Sequence, residues 1–153
     1  MIKPHDSLIV RKISLLMVPM IQLFAFYVFF HGHHSPGGGF QAGVLIGASI
    51  ILKLLVLTRV ERTAFSIRRE LLIATLGLAI YTAAGALALP SGLNYLNYEY
   101  LSILSPEVAM RRFYGIMIIE SGVVLVVAMI LVIIFHQLAL TNEHLTRRQD
   151  EPV

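Results

Sequence analysis

The chain has 153 residues, of which 57% are hydrophobic and 14% charged, and it carries a formal charge of +3. That balance is too apolar for an ordinary soluble domain, and basic residues placed beside apolar runs point to membrane orientation, not nucleic-acid binding. There is no cysteine, which excludes disulfides, iron–sulfur ligation and thiolate metal sites.

Residues 1–12 read as a short polar tail carrying Lys3, Arg11 and Lys12. The apolar run 13–30 follows, long enough to cross a hydrocarbon core of about 30 Å. It exceeds the usual h-region of a signal peptide, and His31-Gly32-His33-His34 offers no small-residue cleavage site, so it reads as an uncleaved first span. Pro19 inside it is expected to kink the helix or be accommodated by neighbouring helices. Phe24, Phe26, Tyr27, Phe29 and Phe30 crowd its far end, as in an aromatic belt combined with packing.

A polar break comes next, His31 to Phe40. Pro36 has no N–H and pushes Ser35 away from the helical region. Gly37, Gly38 and Gly39 then open backbone conformations closed to other residues, so the chain can reverse sharply. Gly39, Gly43 and Gly47 recur every four residues along one face of the following segment, the small-xxx-small pattern through which membrane helices approach backbone to backbone. On residue chemistry alone, Ser35, Pro36, Gly37, Gly38, Gly39, Phe40, Gly43 and Gly47 read as a loop and packing helix in preference to a ligand site.

The second span runs over about 40–57 and contains Lys53, a charge that costs roughly 2.5 to 3.5 kcal/mol at a helix centre on insertion scales. Ala42, Ile46, Ser49 and Lys53 share a face distinct from the glycine face. Lys53 either snorkels toward the basic loop that follows or lines an ion path. That loop carries Arg59, Arg62, Arg68 and Arg69 against Glu61 and Glu70, the kind of segment retained on the cytoplasmic side. The third span, 71–89, has no charge, and its Gly77, Ala84, Gly85 and Ala88 suggest close helix contacts. Residues 90–112 form the longest connection, where Tyr95, Tyr98 and Tyr100 among leucines and asparagines suit a segment at the membrane interface or against a partner subunit. The fourth span, 113–135, contains Glu120-Ser121-Gly122. An acid about two turns into a span must be paired, neutral or close to water, which makes Glu120 the second candidate for an ion pathway. Counted from the loops at 1.5 Å per residue, Glu120 lies about 10 Å deep and Lys53 about 20 Å deep. Residues 136–153 read as a polar cytoplasmic tail, partly disordered at its end.

His-Gly-His-His-Ser-Pro-Gly-Gly-Gly-Phe after an aromatic-rich apolar segment resembles the signature of the MrpB/MnhB-type subunit of multisubunit cation/proton antiporters. The resemblance is strongest over Phe29 to Gly47, and the four-span layout extends it over most of the chain. Glu120-Ser121-Gly122-Val123 resembles the acid, apolar, Gly, Val pattern of those subunits, with Glu in place of the commoner Asp and Ser as an added polar group. Related subunits occur in the membrane arms of energy-converting hydrogenases and other complex I-like assemblies. The resemblance implies an accessory subunit that works with large antiporter-like partners in a cell membrane and handles monovalent cations and protons.

The expected fold class is therefore an all-α integral membrane protein of four transmembrane helices, N-in/C-in, forming a single membrane domain with no catalytic chemistry of its own and no cofactor. A homologous subunit of a hydrogenase-like or complex I-related ion pump is the alternative. A four-helix haem-binding electron-transfer subunit fits poorly, because haem needs facing axial ligands and no histidine lies within a span. Zinc at the His31–His34 cluster is weaker than an interfacial reading of those imidazoles, so no metal site is assigned. A stand-alone carrier would be expected to show internal repeats or interrupted helices, and none is evident. The orientation rests on Lys3, Arg11, Lys12, Arg59, Arg62, Arg68 and Arg69 on one side and the bare first loop on the other. A cysteine at Ser35 is expected to react with an impermeant reagent applied outside intact cells; reaction only after the membrane is opened would reverse the orientation.

Overall fold

The computed structural model describes residues 8–32, 37–56, 66–103 and 106–149, with backbone alone for 102–103 and 140–149. Lys3, His33, His34, Ser35, Pro36, Arg59, Glu61 and Arg62 lie outside the described residues. Among the described residues, four helices are long and apolar enough to cross a membrane: α1 (Leu8–His31), α2 (Gly39–Val56), α3 (Ile67–Ala86) and α4 (Val108–Gln149). Two short 3₁₀ turns, Leu89–Ser91 and Tyr98–Ile103, sit in the connection between α3 and α4. α1 runs through Pro19 without a break.

The helices do not pack in chain order. α1 lies against α2, α2 against α4, and α4 against α3, so the spatial row is α1–α2–α4–α3 with α1 and α3 at its edges. α2 and α4 run parallel, since Gly39, Gly43 and Gly47 meet Glu120, Val127 and Ala128 in rising order. α3 runs antiparallel to α4, with Gly77 facing Gly122 and Glu70 facing His136. One end of the row therefore carries both termini and the link between α2 and α3. The other end carries the two remaining connections.

Close backbone approach holds this row together. Lipid tails are as apolar as leucine, so membrane helices associate through van der Waals contact and hydrogen bonds, not through expulsion of water. A Cβ on Gly43 would lie 2.9 Å from Val127 Cβ and 3.0 Å from the Val124 carbonyl oxygen. On Gly77 it would lie 2.7 Å from the Gly122 carbonyl oxygen, and on Gly122 it would lie 2.6 Å from that of Gly77. Those distances leave no room for a side chain. The α1–α2 seam is polar instead: Gln22 Nε2 donates to the fully buried Ser49 Oγ at 3.2 Å, and Ser49 Oγ donates to the Ile46 carbonyl at 2.7 Å.

Two stretches behave differently from their sequence reading. The connection expected at the interface or against a partner folds back over its own helices. Leu96 N–H donates to the Gly85 carbonyl at 3.3 Å, Tyr100 Oη donates to the Ala84 carbonyl at 3.0 Å, and the Tyr95 and Tyr98 rings press onto Gly85 and Gly115. Leu96 adopts φ +65°, a left-handed conformation costly for a branched side chain and sustained here by those contacts. The segment from His136 on, expected as a tail, continues α4 to Gln149. Hydropathy detects only the stretch inside hydrocarbon, whereas a 42-residue helix spans about 63 Å against a core of about 30 Å.

Much apolar surface stays exposed on the single chain: Leu16, Leu23, Leu72, Leu76, Ile130 and Ile134 are each at least 46% exposed. A row of four helices cannot enclose a core as a closed bundle does, so lipid or other protein must cover its faces. Gly43→Leu is expected to push α2 from α4, an overpacking cost of about 1–3 kcal/mol or more, and to lower the amount of intact subunit recovered in detergent. Recovery at the wild-type level would show that this glycine contact is dispensable.

Candidate functional site

Glu120 sits at the seam between α2 and α4, at the end away from the termini. The chain leaves α1, and Gly38 N–H returns to the Val28 carbonyl at 3.4 Å, closing the base of the loop. Gly38 has φ +119°, and a Cβ there would lie 2.9 Å from Glu120 Oε1. A Cβ on Gly39 would lie 2.5 Å from the Glu120 carbonyl oxygen. Two separate sequence motifs, the glycine loop and Glu120-Ser121-Gly122, are thus one structural unit. The arrangement sets the Glu120 carboxyl beside the first turn of α2, where unpaired N–H groups and the helix dipole favour negative charge. Ser121 Oγ donates to its own helix, to the Ile118 carbonyl at 2.6 Å.

Lys53 lies in the last turn of α2 and is half-buried. Because Gly39 packs on Glu120, the separation of Lys53 from that level follows from the helix rise and is about 21 Å. Counting inward from the loops gives about half of this, because Glu120 is level with the very start of α2. Lys53 and Glu120 therefore belong to opposite ends of the domain and do not form a pair.

A trough along one face of the row lies between those ends. Its half near Glu120 is an apolar cavity of about 200 Å³ lined by Phe26 and Phe29 of α1, Ala42 and Ile46 of α2, and Ser121, Val124 and Leu125 of α4. Its other half is a cavity of about 260 Å³ lined by Ile50, Ser66, Arg69, Glu70, Ile73, Met129 and Val132. Lys53, one turn beyond Ile50 on the same side of α2, lies at the level of the second cavity.

Glu70 of the second cavity belongs to an ionisable pair that the sequence reading does not single out. Glu70 is 4% exposed, and its Oε2 lies 2.9 Å from His136 Nδ1. With a carboxylate as acceptor, Nδ1 carries the hydrogen and donates. Hydropathy puts Glu70 in a solvated loop and His136 at the start of a tail. Each instead lies inside a helix that outruns its apolar core, and 66 residues separate them. The only available signal is position: Glu70 lies one turn into α3 on the face of Gly77, and His136 lies two heptads beyond Gly122 on α4.

The remaining polar groups are local. His31 Nδ1 donates to the Tyr27 carbonyl at 3.0 Å, and the two rings stack at 4.2 Å. Burial pushes the Tyr98 phenol above its usual value, with Tyr100 and Tyr81 adding to the shift, and burial also raises Tyr100. Both phenols stay neutral at physiological pH, with Tyr100 hydrogen-bonded to the Ala84 carbonyl and the Tyr98 ring packed on Gly115.

Comparison with known proteins fits this geometry. Residues 9–133 match the family described as a domain related to the MnhB subunit of Na⁺/H⁺ antiporter. The corresponding Na⁺/H⁺ antiporter subunit of Bacillus subtilis, the one designated B, is 29% identical over 122 residues, 80% of this chain and 85% of that protein. The putative antiporter subunit mnhB2 of Staphylococcus aureus strains Newman and USA300 is 39% identical over 51 residues, 33% of this chain and 36% of that protein.

Proposed function

The chain belongs to the family of domains related to the MnhB subunit of Na⁺/H⁺ antiporters, and from that membership we propose how this subunit serves its complex. It is an accessory subunit of a multisubunit Na⁺/H⁺ antiporter and a multi-pass protein of the cell membrane, with other membrane subunits as partners. The observation that carries the reading is the family match over most of the chain, together with an open row of helices whose faces remain apolar and uncovered. Such a row suits a spacer that large antiporter-like subunits enclose on both sides.

Within that assembly, Lys53 and Glu120 act as titratable elements at the two ends of an ion pathway. Each lies on an otherwise apolar stretch of helix where charge is expensive. Glu120 lies beside the α2 N-terminus, and Lys53 in the last turn of that helix. The trough between them is mostly apolar along this chain, so a hydrated route needs polar groups from a partner facing it. The glycine loop serves assembly, by seating α2 on α4 and fixing Glu120. Both termini face the cytoplasm in this arrangement. We assign the chain no catalytic step and no cofactor.

Glu120→Gln and Lys53→Met keep shape while removing charge. In vesicles holding equal amounts of complex, each is expected to slow ΔpH-driven cation exchange several-fold without loss of assembly. Snorkelling predicts that Lys53→Arg is silent and that Lys53→Met affects only stability. Wild-type exchange in both neutral variants would remove the pathway role and leave a packing subunit.

A further inference from the structure

A buried carboxyl–imidazole pair joins α3 to α4 at the terminal end of the domain, and neither its burial nor its geometry is explained by holding helices together. The Glu70 carboxyl is almost wholly enclosed. One oxygen accepts from His136 Nδ1 at 2.9 Å, while Oε1 is buried with no hydrogen-bond partner among the described residues. A staple between two helices would satisfy both oxygens or avoid a carboxylate altogether, since an unmet charge in an apolar site is costly. Oε1 instead belongs to a residue that lines a cavity of about 260 Å³, large enough for water.

We propose that Glu70 and His136 form a proton-loading site for this subunit's complex, at the end of the membrane domain opposite Glu120. The inference rests on the antiporter reading above but uses different residues and a different end of the chain.

In the empty state the pair is a carboxylate and a neutral imidazole, with net charge −1. A proton arriving on the other ring nitrogen makes an imidazolium, and the loaded pair is neutral overall. The Nδ1 proton can then pass along the 2.9 Å hydrogen bond to Oε2, giving carboxylic acid and neutral imidazole with no change in total charge. Rotation of the acid then turns the proton away from His136, toward the cavity that Glu70 lines. Its departure restores the carboxylate, and the imidazole regains its starting tautomer by exchanging protons with water. One proton enters and one leaves.

Two further charged residues lie near the site: Arg69 of α3 lines the same cavity, and Lys53 of α2 lies at its level. Among the described residues α4 contributes no other ionisable group between Glu120 and His136. A bound sodium ion is disfavoured, because among the described residues only Glu70 and Ser66 bring side-chain oxygens to the cavity, and Arg69 repels a cation. A proton needs a single acceptor.

The test uses the intact complex in vesicles, with complex abundance, exchange rate across pH and infrared spectra as readouts. Glu70→Gln and His136→Asn each keep a hydrogen-bonding amide while abolishing titration. Each is expected to assemble and to lower proton-coupled exchange by at least about tenfold at every pH, the scale set by loss of a positioned proton-transfer group. Glu70→Asp is expected to keep turnover with a displaced pH profile. The pH-difference infrared spectrum should contain a carboxylic-acid band that Glu70→Gln removes. The double variant Glu70→Gln/His136→Asn separates the two roles: a structural staple predicts recovery of the wild-type rate and profile, whereas a proton site predicts continued loss. Wild-type profiles in the single variants, recovery in the double variant, or failure of all the variants to assemble would each overturn the proposal. None of these outcomes decides the roles of Lys53 and Glu120, which their own variants test.

Discussion

Two helices in lipid hold together only as well as their surfaces fit, because the solvent gives no reward for hiding apolar groups. Here the fit depends on missing side chains. Gly38 and Gly39 sit against the backbone and carboxyl of Glu120, Gly43 against Val124 and Val127, and Gly77 and Gly122 against each other's carbonyls. At Gly39, Gly43, Gly77 and Gly122 the contact brings the glycine so close to a neighbouring backbone that a single methyl group would not fit. α4 is gripped in this way on two sides, by α2 and by α3, and becomes the spine of the row. The edge helix α1 is held differently, through Gln22 and the buried Ser49.

The same contacts decide where charge can sit. Seating α2 on α4 by its first glycines puts Glu120 level with the start of α2 and moves Lys53 to the far end, about 21 Å away. Seating α3 on α4 through Gly77 and Gly122 brings Glu70 opposite His136 at that same far end. Ionisable groups therefore cluster at two levels, with a largely apolar trough between them. The ion pathway proposed for this chain would therefore need neighbouring subunits to complete a polar route. The exposed apolar residues along its edges are consistent with that dependence.

The spans were legible because hydrocarbon thickness imposes a length on apolar runs, and the glycine stripe because a four-residue period needs no tertiary information. That Glu120 would be met by the glycine loop was not legible: both motifs stood out, but nothing in the local sequence says that α2 skips α3 to pack on α4. Glu70 and His136 were hidden for another reason. Each lies where helix continues past the apolar core, and there hydropathy reads a polar residue as loop or tail. That the tyrosine-rich connection packs into notches at Gly85 and Gly115 was not legible, because tyrosine suits a membrane surface as well as a glycine notch and nothing local names those partners. The family resemblance carried by the glycine loop pointed to the antiporter subunit, and the match over residues 9–133 bears that out.

The spatial order α1–α2–α4–α3 is the claim on which the placement of every charged group depends. The chain contains no cysteine, so pairs introduced into the assembled complex report adjacency directly. Ala42 and Ser121 line the same trough cavity between α2 and α4, whereas Leu78 lies on α3, away from α2 and 55% exposed. Cysteines at 42 and 121 should be joined by a short bifunctional thiol reagent, and cysteines at 42 and 78 should not. The opposite pattern, with 42 joined to 78 and not to 121, would mean that the helices pack in chain order and would contradict the account.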